Sequence, residues 1–226
     1  MANVNPRVAI VDYGLGNLFS VRYACAQSGM EGFITSSRQE ILEADGVILP
    51  GVGAFGDAMA ALTALDLVSP LKDVAASGKP LVGICLGMQL MMSESHEFGF
   101  HEGLDLIKGT VVRLDEGQHE GQAVKVPHIG WNQIQPAAAW TGSPLATLRA
   151  GTFMYFVHSY HVKPADPSCV LSVTPYGGSE MCSSLTRGNI FACQFHPERS
   201  GPAGLRVYGS LAAQLNSSLE EHWTRK

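Results

Sequence analysis

A three-layer α/β sandwich, built on a central, mainly parallel sheet with a smaller antiparallel layer, is the fold that this 226-residue sequence predicts. Three observations carry that prediction. In the first half, short apolar runs alternate with stretches of helical periodicity across glycine-containing turns, which is how parallel β-α-β units read. From about Gly109 the texture changes to period-two alternation with many aromatic residues, as in antiparallel strands. Hydrophobic residues make up 46% of the chain and charged ones 15%, enough apolar surface to offset the entropy of ordering one substantial core. A single domain over residues 1–226 is expected.

Arg7 to Asp12 (RVAIVD) reads as a buried strand. After the turn Tyr13-Gly14-Leu15-Gly16-Asn17, the residues Leu18, Val21 and Cys25 recur at helical spacing, and Gly29 offers a left-handed cap. Ser37-Arg38-Gln39-Glu40 is a capping-box pattern for a short helix, and Gly46–Leu49 is the next strand, running into Pro50-Gly51-Val52-Gly53. A helix follows through Met59, Leu62 and Leu65. Gly78-Lys79-Pro80 stops a further helical stretch, and Leu81–Ile84 is a third buried strand that ends at Cys85, with a helix starting near Met88. In the second half Thr110–Leu114, Trp131–Gln135, Thr152–Val162 and Cys169–Val173 alternate as strands. Met181–Leu185 and Ile190–Phe195 flank Thr186-Arg187-Gly188-Asn189 as a hairpin. A last helix carries Leu205, Tyr208, Leu211, Ala212 and Leu215 on one face.

A net charge of −5 supplies no basic field for a phosphate backbone, so nucleic-acid binding is disfavoured. Met1–Asn5 lacks a charged leader, and no stretch approaches the roughly 20 apolar residues that a bilayer demands. A soluble, cytoplasmic protein with no membrane partner is expected. The five cysteines (25, 85, 169, 182 and 193) are odd in number and scattered without a C-x-x-C pair. That spacing argues against both a disulfide framework and a structural zinc site, so no metal is expected and a cysteine is left over for chemistry.

Gly83-Ile84-Cys85-Leu86-Gly87 stands where a strand passes into a helix, the context in which G-x-nucleophile-x-G has mechanical meaning. The glycines allow a sharp turn that holds the central side chain on a strained backbone, pointing away from the sheet. A thiol there gains from the helix amino terminus, which favours thiolate, and from the N–H of Leu86, which can donate to an oxyanion. The competing reading is a small buried hydrophobe at a strand end, which suits Cys25, Cys169, Cys182 and Cys193 better.

A nucleophilic thiol needs a base whose own position is fixed, and Phe195-His196-Pro197-Glu198 offers one. His196 can take the thiol proton, Glu198 can accept from the other ring nitrogen, and Pro197 locks the backbone between them. The plain alternative is a polar turn with an incidental histidine. H-x-E also opens the zinc-deaminase signature, but that signature continues into P-C-x-x-C, and no cysteine follows Cys193. His96, His101, His119, His158 and His161 read as structural or surface groups.

Together, Gly83-Ile84-Cys85-Leu86-Gly87-Met88-Gln89 and Gln194-Phe195-His196-Pro197-Glu198 closely resemble the paired motifs of class I, triad-type glutamine amidotransferases. The pairing is far more specific than either half. The resemblance covers nearly the whole chain: Tyr13-Gly14-Leu15-Gly16-Asn17, Pro50-Gly51-Val52-Gly53, Pro127-His128-Ile129-Gly130-Trp131-Asn132 and Phe156-Val157-His158-Ser159-Tyr160 fall where one branch, the glutaminase subunits of imidazole glycerol phosphate synthase, has them.

That resemblance implies a flavodoxin-like amidotransferase fold, no cofactor, and a reaction in which L-glutamine acylates Cys85, ammonia leaves and water hydrolyses the thioester. It assigns Cys85, His196 and Glu198 to catalysis and the N–H groups of Val52 and Leu86 to the oxyanion. Gly53, Gln89, Glu97, Tyr155, Ser159 and Tyr160 become substrate contacts, with Glu94 a competitor for the place of Glu97 because it would face the same way on a helix. Free ammonia is largely protonated at neutral pH and diffuses away, so a docked acceptor is implied. The resemblance makes it a (β/α)8-barrel cyclase subunit, joined as a heterodimer, which uses ammonia to turn PRFAR into imidazole glycerol phosphate and AICAR in histidine biosynthesis. Asn17, Trp131 and Arg199 become interface residues, although Trp131 fits core packing equally well, and Arg199 stands where many relatives have lysine. The same chemistry could serve another acceptor synthase, and the elbow alone would also fit a cysteine peptidase or a glyoxalase-like protein.

Overall fold

The computed structural model describes residues 5–115, 117–119 and 122–224. In chain order the elements are β1 (Arg7–Val11), α1 (Leu18–Gln27), β2 (Glu31–Thr35), α2 (Arg38–Glu43), β3 (Gly46–Gly51), α3 (Phe55–Ala64), α4 (Val68–Ser77), β4 (Leu81–Cys85), α5 (Leu86–Leu90), β5 (Glu94–Ser95), β6 (His101–Glu102), β7 (Gly109–Arg113), β8 (Gln118–His119), β9 (Gln122–Ala123), β10 (His128–Pro136), β11 (Thr152–His158), β12 (Tyr160–Pro164), β13 (Val170–Tyr176), β14 (Ser179–Arg187), β15 (Ile190–Cys193) and α6 (Gly201–Thr224).

Nine strands make one sheet in the order β11-β10-β13-β14-β15-β4-β3-β1-β2. The five from β2 to β15 run parallel, and the strands from β14 outward are antiparallel. Much of the antiparallel component is therefore fused to the edge of the parallel sheet. A separate four-stranded sheet, β12-β7-β5-β6, forms the smaller layer.

Period-two geometry splits each parallel strand between two cores. Ala9, Val11, Val47, Leu49, Leu81, Ile190 and Ala192 pack with Ile41, Leu62 and Leu71 of α2, α3 and α4. Their neighbours Val8, Ile10, Ile48, Val82, Ile84, Phe191 and Cys193 pack with Val21 and Cys25 of α1 and Val207, Tyr208 and Leu211 of α6. Strands covered on both faces must be apolar at every position, which is why these runs read as continuous rather than alternating. Each fully buried aliphatic side chain contributes about 1.5–3 kcal/mol relative to exposure. No helix among the described residues is long and apolar enough to cross a membrane.

Most predicted elements are present, and several differ in ways with physical causes. β2 is absent from the sequence expectation because its Gly32 weakens the strand signal. A Cβ at Gly32 would lie 2.9 Å from Cys25 Cβ, so close packing of α1 on the sheet selects the glycine. The helix after Cys85 begins at Leu86 rather than near Met88 and is only five residues long. The Thr152–Val162 run breaks at Ser159, sending β11 into the main sheet and β12 into the small one. The buried face of α6 is Val207, Tyr208, Leu211, Ala212 and Leu215, whereas Leu205 lies off that stripe and is 38% exposed. In the capping box of α2, Ser37 accepts from the Glu40 N–H as expected, but Thr35 Oγ1 takes the Ser37 N–H and meets the Glu40 carboxylate.

Candidate active site

The carboxyl ends of β3, β4 and β15 meet at one place, the position where open α/β sheets carry their sites. Register sets the neighbours. Gly51 pairs with Cys85, which brings Val52 alongside Leu86. Cys193 pairs with Ile84, which brings Gln194 and His196 past Cys85.

Cys85 has φ 54° and ψ −108°, a conformation that L residues rarely adopt, and it is buried. Such a residue costs on the order of 1–3 kcal/mol and persists only where its surroundings hold it. They do: a Cβ on Gly87 would lie 1.8 Å from the Leu49 carbonyl oxygen, and one on Gly51 would lie 2.9 Å from Leu86 Cβ, so α5 is seated directly on β3. Leu86, as the first residue of α5, has an N–H with no partner inside the helix. Tyr13 Oη donates to the Pro50 carbonyl at 2.8 Å and holds the start of the Pro50–Gly53 loop. Gly53 takes φ +102°, and Val52 is 41% exposed.

His196 Nδ1 and Glu198 Oε1 are 2.8 Å apart, with side chains 3% and 1% exposed. The short turn Pro197–Arg199 folds the two back on each other, which the Pro197 ring favours at a first helical position. His196 Nε2 is buried without a hydrogen-bond partner, and the Cys85 thiol lies close enough to act on the imidazole. Burial, the largest influence on the imidazole, acts to lower its pKa. The charge and contact of Cys85 and the Glu198 carboxylate outweigh it and lift the group to about 10. A buried carboxylate, an imidazole and a thiol in this order can pass a proton to and from a reacting sulfur. Among the described residues no group of three or more His, Cys, Asp and Glu could hold a metal ion.

Gln89 is buried beneath the elbow, its Nε2 2.9 Å from the Tyr160 carbonyl and 3.1 Å from Gln194 Oε1. Tyr160 thus enters the site through its backbone, while its ring lies 6.3 Å from that of Phe98. Glu97 is 9% exposed, and its Oε2 accepts from the Phe55 N–H at 2.6 Å. Burial raises its pKa, and the hydrogen bond from Phe55 opposes that rise. Glu94 sits in β5 rather than on a helix and turns to His96 at 3.4 Å, so the two glutamates do not compete for one place. The Ser159 carbonyl accepts from Leu114 N–H at the junction of β11 and β12.

Tyr155 joins the site to the surface. Its ring is 6.5 Å from that of His196, 6.1 Å from that of Trp131, and 4.7 Å beneath the Arg199 guanidinium. Trp131 is 55% exposed, which rules out core packing. Ile129 and Phe153, on the same pair of strands, are also exposed. Asn17 is exposed at the amino end of α1.

Sequence reading passed over Gln194. Its Nε2 lies 3.5 Å from Cys85 Sγ, and the available signal was its place two residues before His196.

Behind Cys85, His196 and Glu198, the imidazoles of His128, His158 and His161 are all buried. His128 stacks between Phe156 and Tyr176 at 4.9 and 3.9 Å, and His158 shares its Nδ1 with the Tyr160 carbonyl at 2.9 Å. Burial lowers their pKa values to about 4, 3 and 4. Below the unfolded value near 6.5 the unfolded chain binds more protons than the folded one, so stability falls as pH drops. Each group costs up to about 1.4 kcal/mol per pH unit, and because the titrations are incomplete at both ends the combined loss averages roughly 3 kcal/mol per unit between pH 6 and 4, steepest near pH 5. His196 has the opposite sign: its contribution is complete below about 6.5 and fades as pH rises towards about 10, so it leaves the acid limb alone. Denaturant titrations across that range should show the slope, and His161→Gln should reduce it by about a third.

The family model described as glutamine amidotransferase class-I matches residues 9–208. The imidazole glycerol phosphate synthase subunit HisH of Moorella thermoacetica is 48% identical over 217 residues, covering 93% of this chain and 98% of that relative. HisH 1 of Legionella pneumophila strain Paris is 45% identical over 203 residues, covering 88% and 95%. Among solved structures, PurLQS from Thermotoga maritima superposes with a TM-score of 0.72 at 19% identity, over 94% of this chain and 100% of that one. The Trypanosoma brucei CTPS glutaminase domain with bound acivicin gives 0.67 at 19%, over 94% of each. The structural likeness establishes the fold and the sequence likeness the lineage: the chain belongs to the class-I glutamine amidotransferases, in the branch of the HisH subunits of imidazole glycerol phosphate synthase.

Proposed function

We propose that this chain is the glutaminase subunit of an imidazole glycerol phosphate synthase, with Cys85, His196 and Glu198 as its catalytic triad. The observation that carries the reading is the buried 2.8 Å His196–Glu198 pair facing a cysteine held at φ 54°. Cys85 Sγ attacks the side-chain amide carbon of L-glutamine. The oxyanion that forms is met by the N–H groups of Leu86 and Val52, and His196 gives its proton to the departing ammonia. Water, activated by His196, then breaks the thioester and releases glutamate. Glu198 holds the imidazole in one tautomer and stabilises its charged form. Gly53, Gln89, Glu97, Tyr155, Ser159 and Tyr160 surround the substrate, with Glu97 as the partner of its α-ammonium.

Ammonia needs a protected acceptor. The exposed side chains of Ile129, Trp131, Phe153 and Arg199 around the half-buried Tyr155 lie beside the triad and suit a docked chain, because exposed aromatic and Arg groups anchor interfaces, and Asn17 is taken as a further interface residue. A (β/α)8-barrel cyclase subunit, joined as a cytoplasmic heterodimer and using the ammonia to convert PRFAR into imidazole glycerol phosphate and AICAR, is the partner. Its binding raises glutaminase activity allosterically. The test is glutamine hydrolysis with and without the purified cyclase and PRFAR, where strong stimulation is expected and its absence would sink the assignment. Within that complex, Glu198→Gln should lower kcat on the order of 10³–10⁴-fold with little change in KM, as for the orienting carboxylate of other triads.

A further inference from the structure

We infer that Gln194 is the hydrogen-bond donor that stabilises the Cys85 thiolate, with its amide locked in the donating orientation by Gln89 and the backbone carbonyl of Tyr160. The inference rests on the reading of Cys85 as the nucleophile.

The polarity of the chain of contacts is forced from one end. The Tyr160 carbonyl can only accept, so the Gln89 side-chain atom 2.9 Å from it is the nitrogen. That nitrogen carries two hydrogens, and the second meets Gln194 at 3.1 Å, so Gln194 presents its oxygen there. The nitrogen of Gln194 is then the atom left facing Cys85 Sγ at 3.5 Å. Turning Gln89 over would set oxygen against the Tyr160 oxygen, and turning Gln194 over alone would set its NH₂ against that of Gln89. Gln194, Gln89 and Cys85 are 0%, 4% and 5% exposed, so bulk water cannot replace a lost partner.

A fixed N–H aimed at sulfur discriminates between protonation states, because a donor bonds an anion about twice as strongly as a neutral acceptor. The fold produces the arrangement from two sides. The β15 and β4 register delivers Gln194 beside Cys85. Gln89 follows Cys85 by four residues on α5, and helical side chains lean back towards the amino end. Of the Gln89 amide, only Oε1 remains for a bound substrate.

Gln194→Met keeps length and bulk but removes the donor, and Gln89→Met leaves the donor but removes its lock. The measurement is the pH dependence of Cys85 alkylation by iodoacetamide in the full chain, with Cys85→Ala as the blank and thermal unfolding recorded alongside. The midpoint of the profile should rise by roughly one pH unit in Gln194→Met and by less in Gln89→Met. Glutamine kcat with the cyclase should fall about tenfold at neutral pH in Gln194→Met and recover partly at higher pH. An unmoved midpoint in a Gln194→Met protein with the parental Tm overturns the inference. If that variant does not fold, an unmoved midpoint in Gln89→Met overturns it instead. Alkylation needs no glutamine, so this outcome is separate from glutaminase activity that survives Cys85→Ala, which would remove the underlying reading.

Discussion

Cys85→Ala should lose glutamine hydrolysis by on the order of 10⁴-fold or more, in the isolated chain and in the complex with cyclase and PRFAR. No other cysteine is suited to take its place: Cys25, Cys169, Cys182 and Cys193 are buried in packing, and burial raises the pKa of each above its ordinary value. The fold should survive, and a second variant shows why the site is strained. Cys85→Gly should be equally inactive yet more stable than Cys85→Ala by roughly 1–3 kcal/mol, because glycine adopts φ 54° and ψ −108° without the clash that any Cβ meets there. Denaturant midpoints of the two variants measure the difference. Equal stabilities would mean that the elbow backbone is unstrained, and undiminished turnover in either variant would end the assignment of the nucleophile.

Gly87→Ala should prevent stable folding, a loss above about 4 kcal/mol, although helix propensity alone would favour alanine by about 1 kcal/mol. The new methyl would sit 1.8 Å from the Leu49 carbonyl oxygen and 2.8 Å from its carbon. Leu49 lies in the interior of the sheet, where β3 pairs with β1 on one side and β4 on the other, so it cannot retreat without opening a ladder. Moving α5 instead would displace Cys85 and the Leu86 N–H together. Gly209→Ala is the control: a Cβ there meets nothing within 4 Å on α6, and it should stabilise by about 0.5–1 kcal/mol. Soluble yield and thermal unfolding distinguish the two, and a Gly87→Ala protein with parental stability would show that α5 does not dock on β3 at this distance.

The parts of the site that were legible in the sequence are those whose chemistry requires neighbours along the chain. Gly83, Cys85 and Gly87 form an elbow because the turn itself needs two glycines. His196 and Glu198 meet across one proline because a three-residue turn can close that pair. What stayed hidden depended on partners far away in sequence. Trp131 read equally as core or interface, since its neighbours on β10 alternate either way, and only the tertiary packing, which leaves that face of β10 and β11 uncovered, puts it in solvent. Glu94 and Glu97 could not be told apart until the segment proved to be a short strand and a turn rather than a helix. Gln194 looked like the approach to a motif, and its contact with Cys85 exists only because β15 lies parallel to β4 in one register.

By itself, then, the order of residues determined the fold class, the alternation of elements, the elbow at Cys85 and the His196–Glu198 pair, because hydrophobic period, turn chemistry and short-range geometry are written locally. The tertiary structure alone decided that Gly51 stands beside Cys85, that two glutamine amides are forced into one polarity by the Tyr160 carbonyl, and that Trp131 and Arg199 flank Tyr155 at the surface. Those facts follow from strand register and from which sheet face is left uncovered, and both are set by packing across the whole chain.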